Sequence, residues 1–230
     1  MHKLGLIGGM SWVSTRTYYE RINRYVQRHV DKTASAPMLI ESLDFAQLYR
    51  LDDNADWQRA AAIIGDSARR LEAAGAEMLI IGANSMHKVY REVEAMVGVP
   101  ILHIAECVGA KMAEDRIERA ALIGTRNVMT ESFYRRRLVA YGIDLLPPEM
   151  GNVETLDRII YDELMLGKVS RDSERTLRSM FVDFEKVGAQ AVILANTELE
   201  QVVDTSANVI PIYDCTAIHA DAAAAWMIAD

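Results

Sequence analysis

Ile81-Gly82-Ala83-Asn84-Ser85-Met86-His87 closes an apolar run and opens into small polar residues, and a near-copy stands at Leu194-Ala195-Asn196-Thr197-Glu198. A short apolar run bounded by polar residues is the pattern of a strand buried on both faces of a parallel sheet. The two copies keep step with other landmarks. Gly75-Ala76 matches Gly188-Ala189 and Ala83 matches Asn196, both displaced by 113 residues. Ile7-Gly8 matches Ile123-Gly124 at a displacement of 116, and Pro100-Ile101 matches Pro211-Ile212 at 111. Landmarks in one order with slowly drifting offsets signal an internal repeat. The expectation is an α/β chain of two pseudo-symmetric halves, each a four-stranded parallel sheet flanked by helices. A boundary after residue 115 gives halves 1–115 and 116–230, with the C-terminal helix free to pack on the opposite half.

Working outward, strands are predicted in the run from Leu4 into the glycines Gly8-Gly9, at Pro37–Leu43, Glu77–Ile81 and Val99–Ile104, in the run Ala120–Thr125, over Ile143–Pro148 ending in a proline break, and at Ala191–Leu194 and Val209–Tyr213. Between them the stripe Tyr18, Ile22, Tyr25, Val26, His29, Val30 predicts a helix that Ser11 or Ser14 caps. After a polar linker with Asp52, Asp53, Asn54 and Asp56, further helices are predicted over 57–74, 88–97, 107–113, 131–141, 154–166, 172–187 and 216–228. Gly75, Gly98 and Gly188 stand where left-handed caps belong.

The chain has 230 residues, half of them hydrophobic and 25% charged, with a net charge of −8. That length buries a sizeable core. The negative balance excludes a dedicated nucleic-acid binder, which needs a basic footprint, and Arg135-Arg136-Arg137 reads as a solvated helix face. No apolar run is long enough to span a bilayer, and no signal-peptide pattern precedes the first strand. Cys107 and Cys215 are the only cysteines and form no paired motif. A cytoplasmic location follows as the expectation. The histidines and carboxylates show no close ligand spacing, so no metal site is expected.

In parallel sheets ligands bind outside the carboxyl ends of the strands. Met10-Ser11, Asn84-Ser85, Thr125 to Thr130 and Thr197-Glu198 all fall at such ends, which predicts a ligand cleft between the two halves. Gly8-Gly9 before a helix suits a carboxylate or other small anion. It is neither G-x-G-x-x-G nor a Walker motif, so a nucleotide is not indicated. Tyr18, Tyr19 and His103 are read as packing residues, and Asp162-Glu163 as a solvated face. His219 follows a strand end and is a further candidate for binding.

Gly8-Gly9-Met10-Ser11-Trp12, Asn84-Ser85-Met86-His87-Lys88, His103-Ile104-Ala105, Leu122-Ile123-Gly124-Thr125-Arg126, Thr197-Glu198-Leu199 and Asp214 through His219-Ala220 together resemble the PLP-independent aspartate/glutamate racemases, with the broad-specificity and aspartate-type amino-acid racemases nearest in pattern. The likeness spans essentially the whole chain. It implies a cofactor-independent isomerase that removes and returns the Cα proton of a small amino acid, a carboxylate-bearing ligand, and a homodimer. It implies no PLP, and no lysine is marked out as a Schiff-base former. Met10, Ser11, Asn84, Ser85, Thr125, Thr130, Thr197 and Glu198 become the implied substrate-binding residues. Each half of such an enzyme supplies one acid/base group, commonly a cysteine. The implied cysteine positions hold Ala83 and Asn196 here, and neither side chain moves a proton at neutral pH.

Three readings stay open on the sequence. One is a racemase with relocated groups, drawn from Glu198, His87, Cys107 and Cys215. Another is a divergent isomerase or decarboxylase of small carboxylates. The third is a non-catalytic protein that binds a small acid.

Overall fold

The computed structural model describes residues 1–51, 53–204 and 208–229; Asp52 of the polar linker lies outside the described residues. Two four-stranded sheets form, and every strand pairing in them is parallel. The first holds β1 (Leu4–Gly8), β2 (Met38–Ser42), β3 (Met78–Ile81) and β4 (Ile101–Leu102) in the order β2-β1-β3-β4. The second holds β5 (Arg119–Gly124), β6 (Asp144–Leu145), β7 (Ala191–Ala195) and β8 (Ile212–Asp214) in the order β6-β5-β7-β8. The predicted repeat is thus a repeat of topology.

In each sheet the chain starts at an inner strand, runs to one edge, and crosses back to the other side. The reversal leaves a crevice at the carboxyl ends of β1 and β3 in the first sheet, and of β5 and β7 in the second. The polar loops singled out in the sequence follow these four strands.

The chain divides into two compact units. The first comprises Met1–Ile104 and the chain from His219 onward; the second comprises Ala105–Ile218. The C-terminal helix explains the exchange. In the first unit, Leu4 and Leu6 of β1 and Met78 and Ile80 of β3 face α1 (Trp12–His29), through Tyr18 and Ile22. Ala220, Ala223, Ala224 and Met227 of α9 (Cys215–Ile228) complete the same cluster. Side chains on a strand alternate in direction, so Ile7, Leu79 and Ile81 point the other way. They meet Trp57, Ala60, Ile64, Ala68 and Leu71 of α2 (Asn54–Ala73).

In the second unit, Ala121 and Ile123 of β5 and Val192 and Leu194 of β7 pack on α7 (Met150–Asp162) and α8 (Arg171–Lys186). Val153, Leu156, Ile159 and Ile160 come from α7, and Leu177, Met180 and Phe181 from α8. The helix α4 (Ile104–Glu114) belongs almost wholly to this unit, joined by α5 (Arg126–Thr130) and α6 (Ser132–Ala140).

Caps fall where polar side chains precede the helices. Ser11 Oγ accepts from Ser14 N, Asp53 from Asp56 N, and Ser170 from Ser173 N. Gly75 and Gly188 take φ of +93° and +88° after α2 and α8, the conformation that favours glycine there. Two expected helices differ. Over 88–97 the chain instead makes a 3-10 turn at Ser85–Val89 and then the short α3 (Tyr90–Glu94). The cause is Asn84, whose helical backbone starts the turn at once, so His87 N reaches back only to Asn84 O, 3.2 Å away. The helix expected over 154–166 stops at Asp162 and continues as a 3-10 turn ending at Gly167, with φ of +72°.

Candidate functional site

In the first unit the candidates gather at the ends of β1 and β3. Gly9 has φ of +86°, and a Cβ there would fall 2.2 Å from the Leu43 carbonyl oxygen. Only glycine fits. Its N–H donates to Thr15 Oγ1 at 2.7 Å, and Thr15 Oγ1 donates to Ser11 O at 3.0 Å. Gly9 N–H is therefore committed inside the turn, and the expectation that the glycine amides all point outward to an anion fails at this residue. Met10 is buried and joined to Ser11 by a cis peptide. Across the crevice, Ala83 and Asn84 are buried, Ser85 is half-buried, and His87 is buried beneath them.

His87 does not hang free in the loop. Its Nδ1 lies 2.8 Å from Ala83 O, which can only accept, so Nδ1 carries the proton. Nε2 then accepts from Ile104 N at 3.3 Å. A neutral imidazole with both nitrogens engaged orders the strand end and is poorly placed to exchange protons. Its ring packs 4.5 Å from that of His103 and 5.8 Å from that of His219. His219 Nε2 donates to Leu102 O at 3.0 Å, leaving Nδ1 to accept from Tyr18 OH at 2.8 Å. Burial, with the neighbouring His87, pushes the His219 pKa down to about 3. The sequence showed neither His103 nor Tyr90 as a member of this group, although their rings sit 4.7 Å apart.

In the second unit the candidates gather at the ends of β5, β7 and β8. Asn196 is buried and its Oδ1 accepts from Glu198 N at 3.1 Å, capping a 3-10 turn over Thr197–Gln201. Thr197 and Glu198 are buried on that turn. Thr125 precedes α5 but makes no side-chain cap, and its buried hydroxyl has no partner among the described residues. Thr216 follows β8 in the first turn of α9, and its hydroxyl is equally buried and unpartnered. A buried hydroxyl left so costs about 1–3 kcal/mol. The sequence showed Thr216 only as the start of the last helix. The cap is Asp214, whose Oδ1 accepts from Thr216 N at 2.9 Å and Ala217 N at 3.1 Å. Thr130 stands apart: it is exposed and its hydroxyl donates to Arg126 O at 2.8 Å.

The two thiols lie in unsuitable surroundings for proton transfer. Cys107 sits on α4, where burial and the adjacent Glu106 carboxylate push its pKa up to about 12. Cys215 is fully buried, takes a hydrogen bond from Tyr134 OH at 3.1 Å, and is pushed up further by burial. A working thiol needs the opposite shift. Among the described residues no group of three or more His, Cys, Asp or Glu side chains could hold a metal ion, and no helix is long and apolar enough to cross a membrane. A small surface hollow beside Leu146, Pro147, Pro148 and Leu156 contains none of the candidate residues.

Solved structures of similar fold include proteins named as racemases. A candidate Asp/Glu racemase from Yersinia pestis is 39% identical with a TM-score of 0.92, each chain covering all of the other. An aspartate racemase homologue from Pyrococcus horikoshii OT3 is 28% identical with a TM-score of 0.85, over 99% of both chains. The broad specificity amino-acid racemase RacX of Bacillus subtilis (strain 168) is 23% identical over 219 residues, 93% of each chain. The sequence profile described as Asp/Glu/hydantoin racemase matches residues 7–223. With nearly the full chain matched and both sheets in place, this protein belongs to the Asp/Glu/hydantoin racemase family.

Proposed function

We propose that the chain binds a small α-amino acid, or a closely related carboxylic acid, at the strand ends of its racemase-type fold without paired-thiol proton exchange at Cα. One observation carries the reading: the implied cysteine positions are Ala83 and Asn196, and both thiols of the chain are buried with raised pKa. The binding residues proposed are Met10, Ser11, Asn84 and Ser85 in the first unit and Thr125, Thr197 and Glu198 in the second. His87 is proposed as a positioning residue for residues 83–85, since its ring ties Ala83 O to Ile104 N. Thr130 has no part in the proposal. A homodimer in a reducing compartment belongs to the same reading, and sedimentation velocity checks the assembly.

The test combines calorimetry with solvent deuterium uptake, using both enantiomers of aspartate, glutamate and alanine. The expected result is binding of at least one amino acid with no Cα exchange. Exchange should appear when Ala83→Cys and Asn196→Cys are combined. Exchange by the unaltered protein at a rate the cysteines do not improve would overturn the reading.

Glu198 favours a second reading, because it places a buried carboxylate two residues from Asn196. Acting as a single base it would exchange the Cα proton on one face. Deuterium uptake in the unaltered protein that vanishes in Glu198→Gln, with ligand binding retained, would establish it.

A further inference from the structure

Two imidazoles hold one corner of the first unit. The pairing of β4 with β3 covers only Leu79 with Ile101 and Ile80 with Leu102, and α4 begins two residues later at Ile104. The sheet thus supports residues 102–104 only at their start, and the first N–H groups of a helix find no partner inside it. Side chains meet both needs. His219 Nε2 donates to Leu102 O at 3.0 Å, and Ile104 N donates to His87 Nε2 at 3.3 Å. The ring of His103, between the two bonded residues, packs 4.5 Å from that of His87.

Each link has a second end. His87 Nδ1 donates to Ala83 O at 2.8 Å, in the loop after β3. His219 Nδ1 accepts from Tyr18 OH at 2.8 Å, on α1. An imidazole is rigid, so bonds at both nitrogens fix the spacing of the groups they join. A continuous run of contacts leads from Tyr18 through His219, residues 102–104 and His87 to Ala83. Arg21 Nε and Nη2, donating to Asp221 at 3.1 and 3.2 Å, add a second tie between α1 and α9. The chain leaves the first unit after Ile104 and re-enters it at His219, so both ends of that excursion are fastened to one loop.

We infer that Tyr18 and His219 are positioning residues, which hold residues 83–85 in place through the 102–104 corner and His87, and that docking of α9 and ligand binding at this loop are linked. Only the naming of 83–85 as a ligand loop rests on the proposed function. His219 is fully buried with both nitrogens engaged inside the fold, so it acts through the corner and touches no ligand.

Nitrogen-15 NMR of the full chain tests the geometry first. His87 should be the Nδ1–H tautomer and His219 the Nε2–H tautomer. His87 found as Nε2–H would overturn the inference, because Ile104 N–H would then face a donor. Amide hydrogen exchange tests the coupling. His219→Leu should speed exchange at Ile104 and at His87, whose N–H donates to Asn84 O, about tenfold or more relative to the amides of β1. Tyr18→Phe should speed the same amides about threefold, and carries the comparison if His219→Leu does not fold. His219→Gln, whose amide can donate to Leu102 O and accept from Tyr18, should restore most of the protection. Asp53→Ala, which loosens the cap of α2 in the same unit, is the control and should leave the ratio unchanged. A ratio that His219→Leu and Tyr18→Phe move no more than Asp53→Ala does would sink the positioning role, even if both variants melt lower.

Calorimetry with L-aspartate and L-glutamate adds the ligand. His219→Leu should bind the tighter of the two about tenfold more weakly, and that ligand should slow exchange at Ile104 in the unaltered protein. Faster exchange with unchanged affinity would overturn the link to binding. If the exchange results hold but neither amino acid binds the unaltered protein, the functional reading falls and the positioning of 83–85 stands.

Discussion

Gly9 carries two constraints at once, a left-handed φ and a carbonyl where a side chain would be. Gly9→Ala is expected to destabilise by more than about 2 kcal/mol, read from chemical denaturation, because neither constraint can relax without moving Leu43. His219 tests electrostatics on the same scale. Its native pKa lies near 3 and its ordinary value near 6.5, so below about pH 6.5 the unfolded chain takes up a proton that the native chain refuses. Stability is complete above that pH and falls as pH drops toward 3. His219→Gln, which cannot charge, should flatten the fall in denaturation free energy between pH 6.5 and 4. An unchanged slope would show that other groups govern it. Tyr18→Phe removes the hydroxyl that bonds His219 Nδ1, and should cost about 1–3 kcal/mol at neutral pH.

Elements were legible in the sequence to the degree that their signals are local. Ser11 announces its helix, and Gly75 and Gly188 close theirs, because a cap is decided within four residues. Asp53→Ala should destabilise by about 1 kcal/mol in thermal melts, as the loss of Asp56 N–H capping requires. The 3-10 turns after β3 and β7 were not legible, since their start depends on the backbone angles of Asn84 and on the side-chain cap made by Asn196. For the same reason the sequence could point to Asn84, Thr125 and Thr197 but not rank them. It could not separate Thr125, whose hydroxyl is buried and free of a cap, from Thr130, whose hydroxyl turns back to its own helix. The histidine group was out of reach, because His219 and Leu102 are 117 residues apart.

At the scale of the whole molecule the repeat fixed the two sheets, while the division of the chain between them follows from packing. The alanines of α9 make no amphipathic stripe that names a destination, yet they complete the apolar face of β1 and β3. Ala223→Glu places a carboxylate in that cluster and should destabilise by about 3 kcal/mol or more. Hydrogen exchange is expected to show lost protection in β1 and β3, with β5 and β7 retaining theirs. Uniform loss over both sheets would mean that the units unfold as one.

That closing helix also sets an order of events during synthesis. The second unit is one continuous run, Ala105–Ile218, and is synthesised before the helix residues that close the first unit. The first unit is translated earlier but lacks Ala220, Ala223, Ala224 and Met227 until the second unit has been made. The half made first is therefore finished last. Its strands wait with that apolar face covered only in part, by Tyr18 and Ile22 of α1, which is the period in which a nascent chain is most exposed to aggregation and to chaperones.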